Sequence, residues 1–245
     1  VTKPFLIIET GTPLAHLRRH GSFGHWIRVA AGLHGRQVRH CRVMEGEPLP
    51  PAAAHAGVLV TGSGAMVTER ADWSERSADW LRDAAHAGLP LFGICYGHQL
   101  LAHALGGEVG YNPRGREMGT VPVAPSAAAA NDPLLSGLGE SFVAHTTHLQ
   151  SVLQPPPQAQ VLASSERDDC QAFRWGQAVW GVQFHPEFSA GMMRGYIQAR
   201  SDALTSEGTC PRQLLEQVRP APQARRVLRR FIHVAQARAR NEGQA

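Results

Sequence analysis

A chain of 245 residues, 43% of them hydrophobic, is long enough for one large domain with an ordinary buried core. It holds no run of about 18 apolar residues and no charged-then-apolar leader, which predicts neither a membrane span nor a secretory signal and implies a cytoplasmic protein. The net charge of +4 is modest, and the arginines that carry the excess are not interleaved with aromatics, so nucleic-acid binding is not expected.

Phe5-Leu6-Ile7-Ile8, Gly57-Val58-Leu59-Val60 and Leu89-Pro90-Leu91-Phe92-Gly93-Ile94 are short apolar runs bounded by turn residues, the pattern of parallel strands covered on both faces. Between the second and third, Trp73, Ser77, Leu81 and Ala84 recur at helical spacing, predicting a helix over Asp72 to Ala87 with Asp72 and Glu75 as a capping pair. Tyr96 to Leu105 reads as a further helix, stopped by Gly106-Gly107. Shorter β-like pieces follow at Met118 to Ala124, Ser141 to Thr146, Gln160 to Ser164, Gln171 to Trp175 and Ala178 to Phe184, predicting mixed or antiparallel sheet. The alanine-rich stretch 124–131 and Pro155-Pro156-Pro157 read as surface connections. From Ala190 the pattern is helical, divided by Pro211, Pro220 and Pro222 into three helices. The arginines of this tail (Arg219, Arg225, Arg226, Arg229, Arg230, Arg238, Arg240) predict a solvated basic face, with docking of an acidic partner as the other reading.

The four cysteines (Cys41, Cys95, Cys170, Cys210) stand far apart with no C-x-x-C pairing, which favours reduced thiols over disulfides or a structural zinc, and no metal site is expected. Cys95 differs from the others. In Gly93-Ile94-Cys95-Tyr96-Gly97 it sits where a buried strand runs into a helix, and flanking glycines permit the sharp turn that exposes a nucleophile. A thiol at a helix N-terminus meets unpaired N–H groups and the positive end of the dipole, both of which favour thiolate.

A base is needed, and Phe184-His185-Pro186-Glu187 offers one. Strand alternation would put His185 and Glu187 on one side, so that the carboxylate holds one ring nitrogen and leaves the other to exchange a proton with the thiol. Together these residues predict a cysteine triad of Cys95, His185 and Glu187.

The two motifs, Gly93-Ile94-Cys95-Tyr96-Gly97-His98-Gln99-Leu100-Leu101-Ala102 and Phe184-His185-Pro186-Glu187, closely resemble those of the triad-type, class I glutamine amidotransferase family, including the amidotransferase part of GMP synthetase. The resemblance spans about Phe5 to Phe188 and implies a catalytic domain over 1–188 with a helical C-terminal extension over 189–245. The implied fold is α/β, a three-layer flavodoxin-like open sheet, mixed parallel and antiparallel, with helices on both faces. It also implies that Thr61-Gly62-Ser63-Gly64 is the oxyanion loop, that Ser63 and Tyr96 supply the oxyanion N–H groups, and that Gly62, Gln99, His145, Thr146 and Thr147 contact the substrate. Two departures stand out. The loop reads Gly-Ser-Gly where biosynthetic relatives have two glycines and a proline, and Thr147 stands where relatives commonly carry an acid.

The reaction so implied needs no metal or organic cofactor, and three functions follow. The first is a glutamine amidotransferase that releases ammonia and glutamate for a separate synthetase subunit, since no segment after Phe188 is long enough to be a synthetase domain. The second is a stand-alone γ-glutamyl hydrolase or peptidase acting on γ-glutamyl amines or peptides. The third is a non-catalytic binding module, which would have no physical need for all three triad residues.

Overall fold

A strand that is apolar at every position must be covered on both sides, and β1 (Phe5–Glu9), apolar up to Ile8, is. Its Phe5 and Ile7 enter one apolar layer with Leu59, Phe92 and Ile94, while Leu6 and Ile8 enter another with Val58, Val60 and Leu91. The computed structural model describes residues 3–242. After β1 come α1 (Phe23–Ala31), β2 (Val38–Arg42), β3 (Gly57–Val60), α2 (Asp72–His86), β4 (Leu91–Ile94) and α3 (Tyr96–Ala104). The second half runs β5 (Glu108–Tyr111), β6 (Glu117–Pro125), β7 (Phe142–His148), β8 (Gln150–Gln154), β9 (Gln160–Ser164), β10 (Ala172–Trp175) and β11 (Val179–Val182). Four helices close the chain: α4 (Ala190–Ala199), α5 (Ser201–Ser206), α6 (Pro211–Gln217) and α7 (Pro222–Glu242).

Nine strands form one sheet in the order β2-β1-β3-β4-β11-β10-β9-β6-β7, and β5 pairs with β8 apart from it. From β2 to β11 neighbours run parallel; from β11 to β7 they run antiparallel. Helices α2 and α3 cover the Leu6 face through Leu81, Ala84, Leu100 and Leu101. Helices α1 and α7 cover the Phe5 face through Ile27, Ala30, Val227 and Phe231. The result is the three-layer flavodoxin-like α/β arrangement, with parallel strands where the apolar runs lie and antiparallel ones where the shorter pieces lie.

The differences from the sequence reading have local causes. Helix α1, capped by Ser22 accepting from the His25 N–H, and strand β2 were not anticipated. Strand β2 is an edge strand in which only Val38 and Cys41 are buried, so its sequence lacks the continuous apolar run that marked its neighbours. Strands β5 and β8, paired only with each other, were missed for the same reason. Asp72 and Glu75 do not form a capping pair. Ala71 occupies the N-cap position and has no side chain to cap with, and Glu75 turns instead to Arg70 and His103. The tail holds four helices where three were expected, because the chain also bends at Arg200, which ends α4 and opens α5.

Helix α7 is more than a solvated basic rod. Ala224, Val227, Leu228, Phe231, Ile232 and Ala235 form a stripe at helical spacing, none more than 3% exposed. Phe231 packs at 5.1 Å from Phe92 and 6.1 Å from Trp180, ring centre to ring centre. The arginines flank this stripe, and three donate to main-chain carbonyls: Arg229 to Ala30, Arg230 to Leu134 and Ser136, and Arg238 to Gln177. Phe231→Ala is therefore expected to cost about 3–5 kcal/mol of unfolding free energy, read by urea denaturation. A cost under about 1 kcal/mol would mean that α7 is not part of the core.

Candidate active site

Cys95 follows the last residue of β4 and precedes the first of α3, at φ 54° and ψ −103°, a conformation that side-chain-bearing residues rarely adopt. The flanking glycines make the turn possible by removing atoms. A Cβ on Gly93 would overlap the Gly97 carbonyl, and one on Gly97 would lie 2.5 Å from the Val60 oxygen. The thiol thus stands at the tip of a strand-to-helix elbow.

Three adjacent parallel strands, β3, β4 and β11, end side by side at this tip, where open α/β sheets place their ligands. Strand β3 delivers Thr61-Gly62-Ser63-Gly64. This loop is held from below by Thr10, whose N–H donates to Thr61 Oγ1 and whose hydroxyl contacts the Thr61 and Gly62 carbonyls at 3.0 and 3.1 Å. The Thr61 carbonyl in turn accepts from the Gly97 N–H at 3.1 Å, tying the loop to the elbow. Ser63 Oγ accepts from the Ala65 N–H, while the N–H groups of Ser63, Gly64 and Tyr96 make no hydrogen bond among the described residues. The loop passes so close to the base that a Cβ on Gly62 would lie 3.1 Å from the His185 ring and 3.7 Å from Cys95 Cβ.

Strand β11 delivers His185, but not by strand alternation as the sequence suggested. The strand stops at Val182, and His185 and Glu187 meet across a turn in which the Phe188 N–H reaches the His185 carbonyl. His185 Nδ1 lies 2.8 Å from Glu187 Oε1, both residues are buried, and Phe188 stacks on the imidazole at 4.1 Å. The free nitrogen, Nε2, has no hydrogen-bond partner. Burial disfavours charge on His185, but Glu187 and Cys95 outweigh it and push the imidazolium up to about 10. Burial likewise opposes a thiolate at Cys95, and the neighbouring His185 and then His148 overcome it, so the thiol lies below its ordinary value. The stable form of the pair is thiolate with imidazolium.

The cavity over Cys95 is lined by Ser63, Tyr96, Gln99, Thr147, His148, Gln150, Arg116 and Arg200. Of the residues the sequence nominated for substrate contact, Thr147 and Gln99 are on this wall. The Gln99 amide nitrogen is engaged by the Gln150 carbonyl and by Gln183 Oε1. His145 and Thr146 do not line the cavity. Both are completely buried, His145 Nδ1 faces Thr120 Oγ1, and the His145 carbonyl holds the His185 N–H at 2.8 Å. Burial pulls His145 down to about 4, so it is a neutral support behind the base.

His148 occupies the wall instead. Its Nδ1 contacts the Gln150 carbonyl at 2.9 Å, and its Nε2 faces Glu117 Oε2 at 3.0 Å with Asp168 3.8 Å away. Burial opposes its charge, but the hydrogen bond to Glu117 and the nearby Asp168 outweigh it and raise His148 above the ordinary histidine value. Sequence reasoning missed Thr10, Gln150 and Arg200. Thr10 follows β1 as Thr61 follows β3, a parallel that could have been noticed; Arg200 sits in the helical tail with no local signal. Among the described residues no cluster of three or more His, Cys, Asp or Glu side chains is arranged to hold a metal ion, and no helix is long and apolar enough to cross a membrane.

The geometry has parallels among known proteins. Over 185 residues, 74% of this chain, the sequence is 41% identical to GMP synthase [glutamine-hydrolyzing] of Aeropyrum pernix, and over 181 residues, 71% of this chain, it is 29% identical to gamma-glutamyl-L-1-hydroxyisopropylamide hydrolase of a Pseudomonas species. The matched part spans only 32% of the first relative and 60% of the second. A crystal structure of a glutamine amidotransferase from Thermotoga maritima superposes with a TM-score of 0.76 at 21% identity, covering 96% of this chain and 99% of that one, which establishes the shared fold. The profile of the family "Glutamine amidotransferase class-I" matches residues 22–201, and the chain belongs to that family.

Proposed function

We propose that the chain is a cysteine amidohydrolase that cleaves the γ-amide of glutamine through a γ-glutamyl thioester on Cys95. The observation that carries this reading is the elbow thiol beside a buried imidazole whose other nitrogen is fixed by Glu187. In the reaction the Cys95 sulfur attacks the amide carbon, and the carbonyl electrons move to an oxyanion facing the free N–H groups of Ser63 and Tyr96. His185 Nε2–H protonates the nitrogen, the C–N bond breaks and ammonia leaves. The now neutral His185 takes a proton from water, whose oxygen attacks the thioester. The C–S bond breaks, glutamate departs, and the thiolate and imidazolium return.

Glu187 keeps the imidazole in the tautomer that leaves Nε2 facing the reaction, and Phe188 holds the ring plane. Gln99 and Thr147 are assigned to the substrate wall, and Gly62, which does not line the cavity, to the loop beside His185 and Cys95. His145 and Thr146 are assigned no direct contact, because neither reaches the cavity. The buried, charge-stabilised triad speaks against a non-catalytic module, since each of these groups costs stability that only a reaction would justify.

Two fates for the ammonia follow from the two kinds of relative. The Aeropyrum pernix relative is a single chain about three times as long as the matched region, which supports an amidotransferase role here with a synthetase as partner. The Pseudomonas relative is named as a hydrolase of a γ-glutamyl amide, which supports a second reading, hydrolysis of γ-glutamyl amines without a partner. Release of glutamate from L-glutamine and from γ-glutamyl amines by the isolated protein separates them. Partner-free turnover of the amines favours the hydrolase; turnover that rises only with a synthetase favours the amidotransferase.

Cys95→Ser should lower kcat by about 10⁴-fold or more while leaving the melting temperature nearly unchanged, because the hydroxyl matches the thiol in size but not in acidity. Near-normal turnover by this variant would remove Cys95 from the mechanism.

The charge state of the pair predicts a pH signature. A depressed thiol keeps the thiolate present below the ordinary cysteine range, so iodoacetamide should alkylate Cys95 well below pH 9; in His185→Ala the rate should rise only at higher pH. Turnover, which needs the imidazolium as acid, should fall on the alkaline side near pH 10. Unaltered alkylation in His185→Ala would show that the two groups are not coupled.

A further inference from the structure

Arg200 lies outside every motif that marks the site, at the bend between α4 and α5, yet its side chain lines the cavity over Cys95. Glu207 and Cys95 act on its charge from a distance, but no carboxylate pairs with it directly. Arg116, the other cation of the cavity, is clamped by Glu207 through two bonds, Nε to Oε2 at 2.8 Å and Nη2 to Oε1 at 3.0 Å. Arg200 has no carboxylate within 4 Å among the described residues, and its Nε is buried without a hydrogen-bond partner. Burial, then the nearby Arg116, pulls its guanidinium below the ordinary arginine value. A half-buried cation of this kind is costly unless a counter-charge arrives from outside the chain.

The same cavity carries the complementary deficit. Gln150 donates its amide nitrogen to Thr68 Oγ1 at 2.6 Å, and its Oε1, also buried, accepts nothing. One cavity, which Cys95 also lines, therefore holds an unpaired cationic donor and an unpaired neutral acceptor. An α-amino acid head supplies both missing partners from a single carbon: a carboxylate for the guanidinium and an ammonium for the amide oxygen.

We propose that Arg200 is the specificity-determining residue that grips the α-carboxylate of the γ-glutamyl substrate, with Gln150 Oε1 accepting from its α-ammonium. The inference rests on the γ-glutamyl reading of the site and names the part of the substrate that a non-motif residue recognises. A planar, permanently charged guanidinium suits a carboxylate, and the bend at Arg200 breaks the helix where the side chain must turn toward the thiol. Arg200 touches no reacting atom in this arrangement, so its loss acts on binding and leaves bond-breaking largely intact.

The test uses the full chain carrying Cys95→Ser, titrated calorimetrically with L-glutamine, with its α-amide, in which the carboxylate is neutral, and with γ-L-glutamylethylamide and γ-L-glutamylglycine. L-glutamine should bind about 10- to 100-fold more tightly than the α-amide, the range for a hydrogen-bonded charge. Adding Arg200→Met should erase that preference by weakening L-glutamine and leaving the α-amide within about twofold. Arg200→Lys should restore part of it, and melting temperatures verify that each variant is folded. In otherwise native protein, Arg200→Met should raise KM with kcat within a few fold. A preference for the carboxylate that survives in Arg200→Met overturns the inference. So does a loss confined to γ-L-glutamylglycine, which would assign Arg200 to a carboxylate on the leaving amine. If no γ-glutamyl compound binds to the Cys95→Ser chain and none is turned over by the native one, the γ-glutamyl reading and this inference fall together.

Discussion

The hydrogen bond from the Cys95 N–H to the Val182 carbonyl, 2.8 Å long, joins the end of β4 to the end of β11. Everything at the site depends on that registration. Parallel pairing sets Val182 beside Ile94, so the next residues of the two strands leave the sheet together, one into the elbow and the other into the turn that carries His185. On the other side, pairing of β3 with β4 sets Val60 beside Gly93, which brings the Gly62 loop to the same point. A slip of one residue in either pairing would turn every side chain to the opposite face. The two apolar layers forbid it, because residues of alternate parity are committed to different layers. Burying the core and aligning the triad are thus one constraint.

The polar atoms left without partners show where this stability is given up. His185 Nε2, Glu187 Oε2, Gln150 Oε1 and Arg200 Nε are all buried and unbonded, and all belong to the triad or to the cavity wall. The positive φ of Cys95 adds backbone strain at the same place. Other buried polar groups are satisfied, such as Asp132, which accepts from the Leu134 and Leu135 N–H groups and from Trp180 Nε1, and Glu117, which accepts from Ser165 and Gln171, while His98, His145, Thr146, Gln171 and Gln183 also keep a buried atom without a partner. At the triad and the cavity wall, strain and unmet hydrogen bonding occur together, as expected where a chain gives up stability for a ligand.

Much of this could be read from the sequence, for identifiable reasons. The strands β3 and β4, and β1 up to Ile8, are apolar because both their faces are covered, and only such strands announce themselves without a partner in view. The elbow was legible because its glycines are needed by contacts made within a few residues and with the adjacent strand. The pairing of His185 with Glu187 was read correctly from spacing but for the wrong reason, since a turn brings them together. The cavity wall was legible only in part, since Gln99 and Thr147 line it as expected but Arg116, Gln150 and Arg200 were not anticipated. His145 and His148 look equivalent along the chain, and only the pairing of β6 with β7 decides that His148 stands opposite Glu117 while His145 stands opposite Thr120.

The tail was the least legible part because its residues serve distant elements. Phe188, where the recognisable motifs end, packs on Trp26 and Tyr196, joining helices from both ends of the chain to the residue that stacks on His185. Helix α7 completes the layer that β4 and β11 need on one face, with Phe231 set against Phe92 and Trp180. Those two residues are paired in the strands whose ends hold Cys95 and lead to His185. A defect in the tail would therefore reach the site through the sheet, by loosening the strands that set the distance between thiol and base. The recognisable motifs end at Phe188, but the apolar contacts run across that point unbroken.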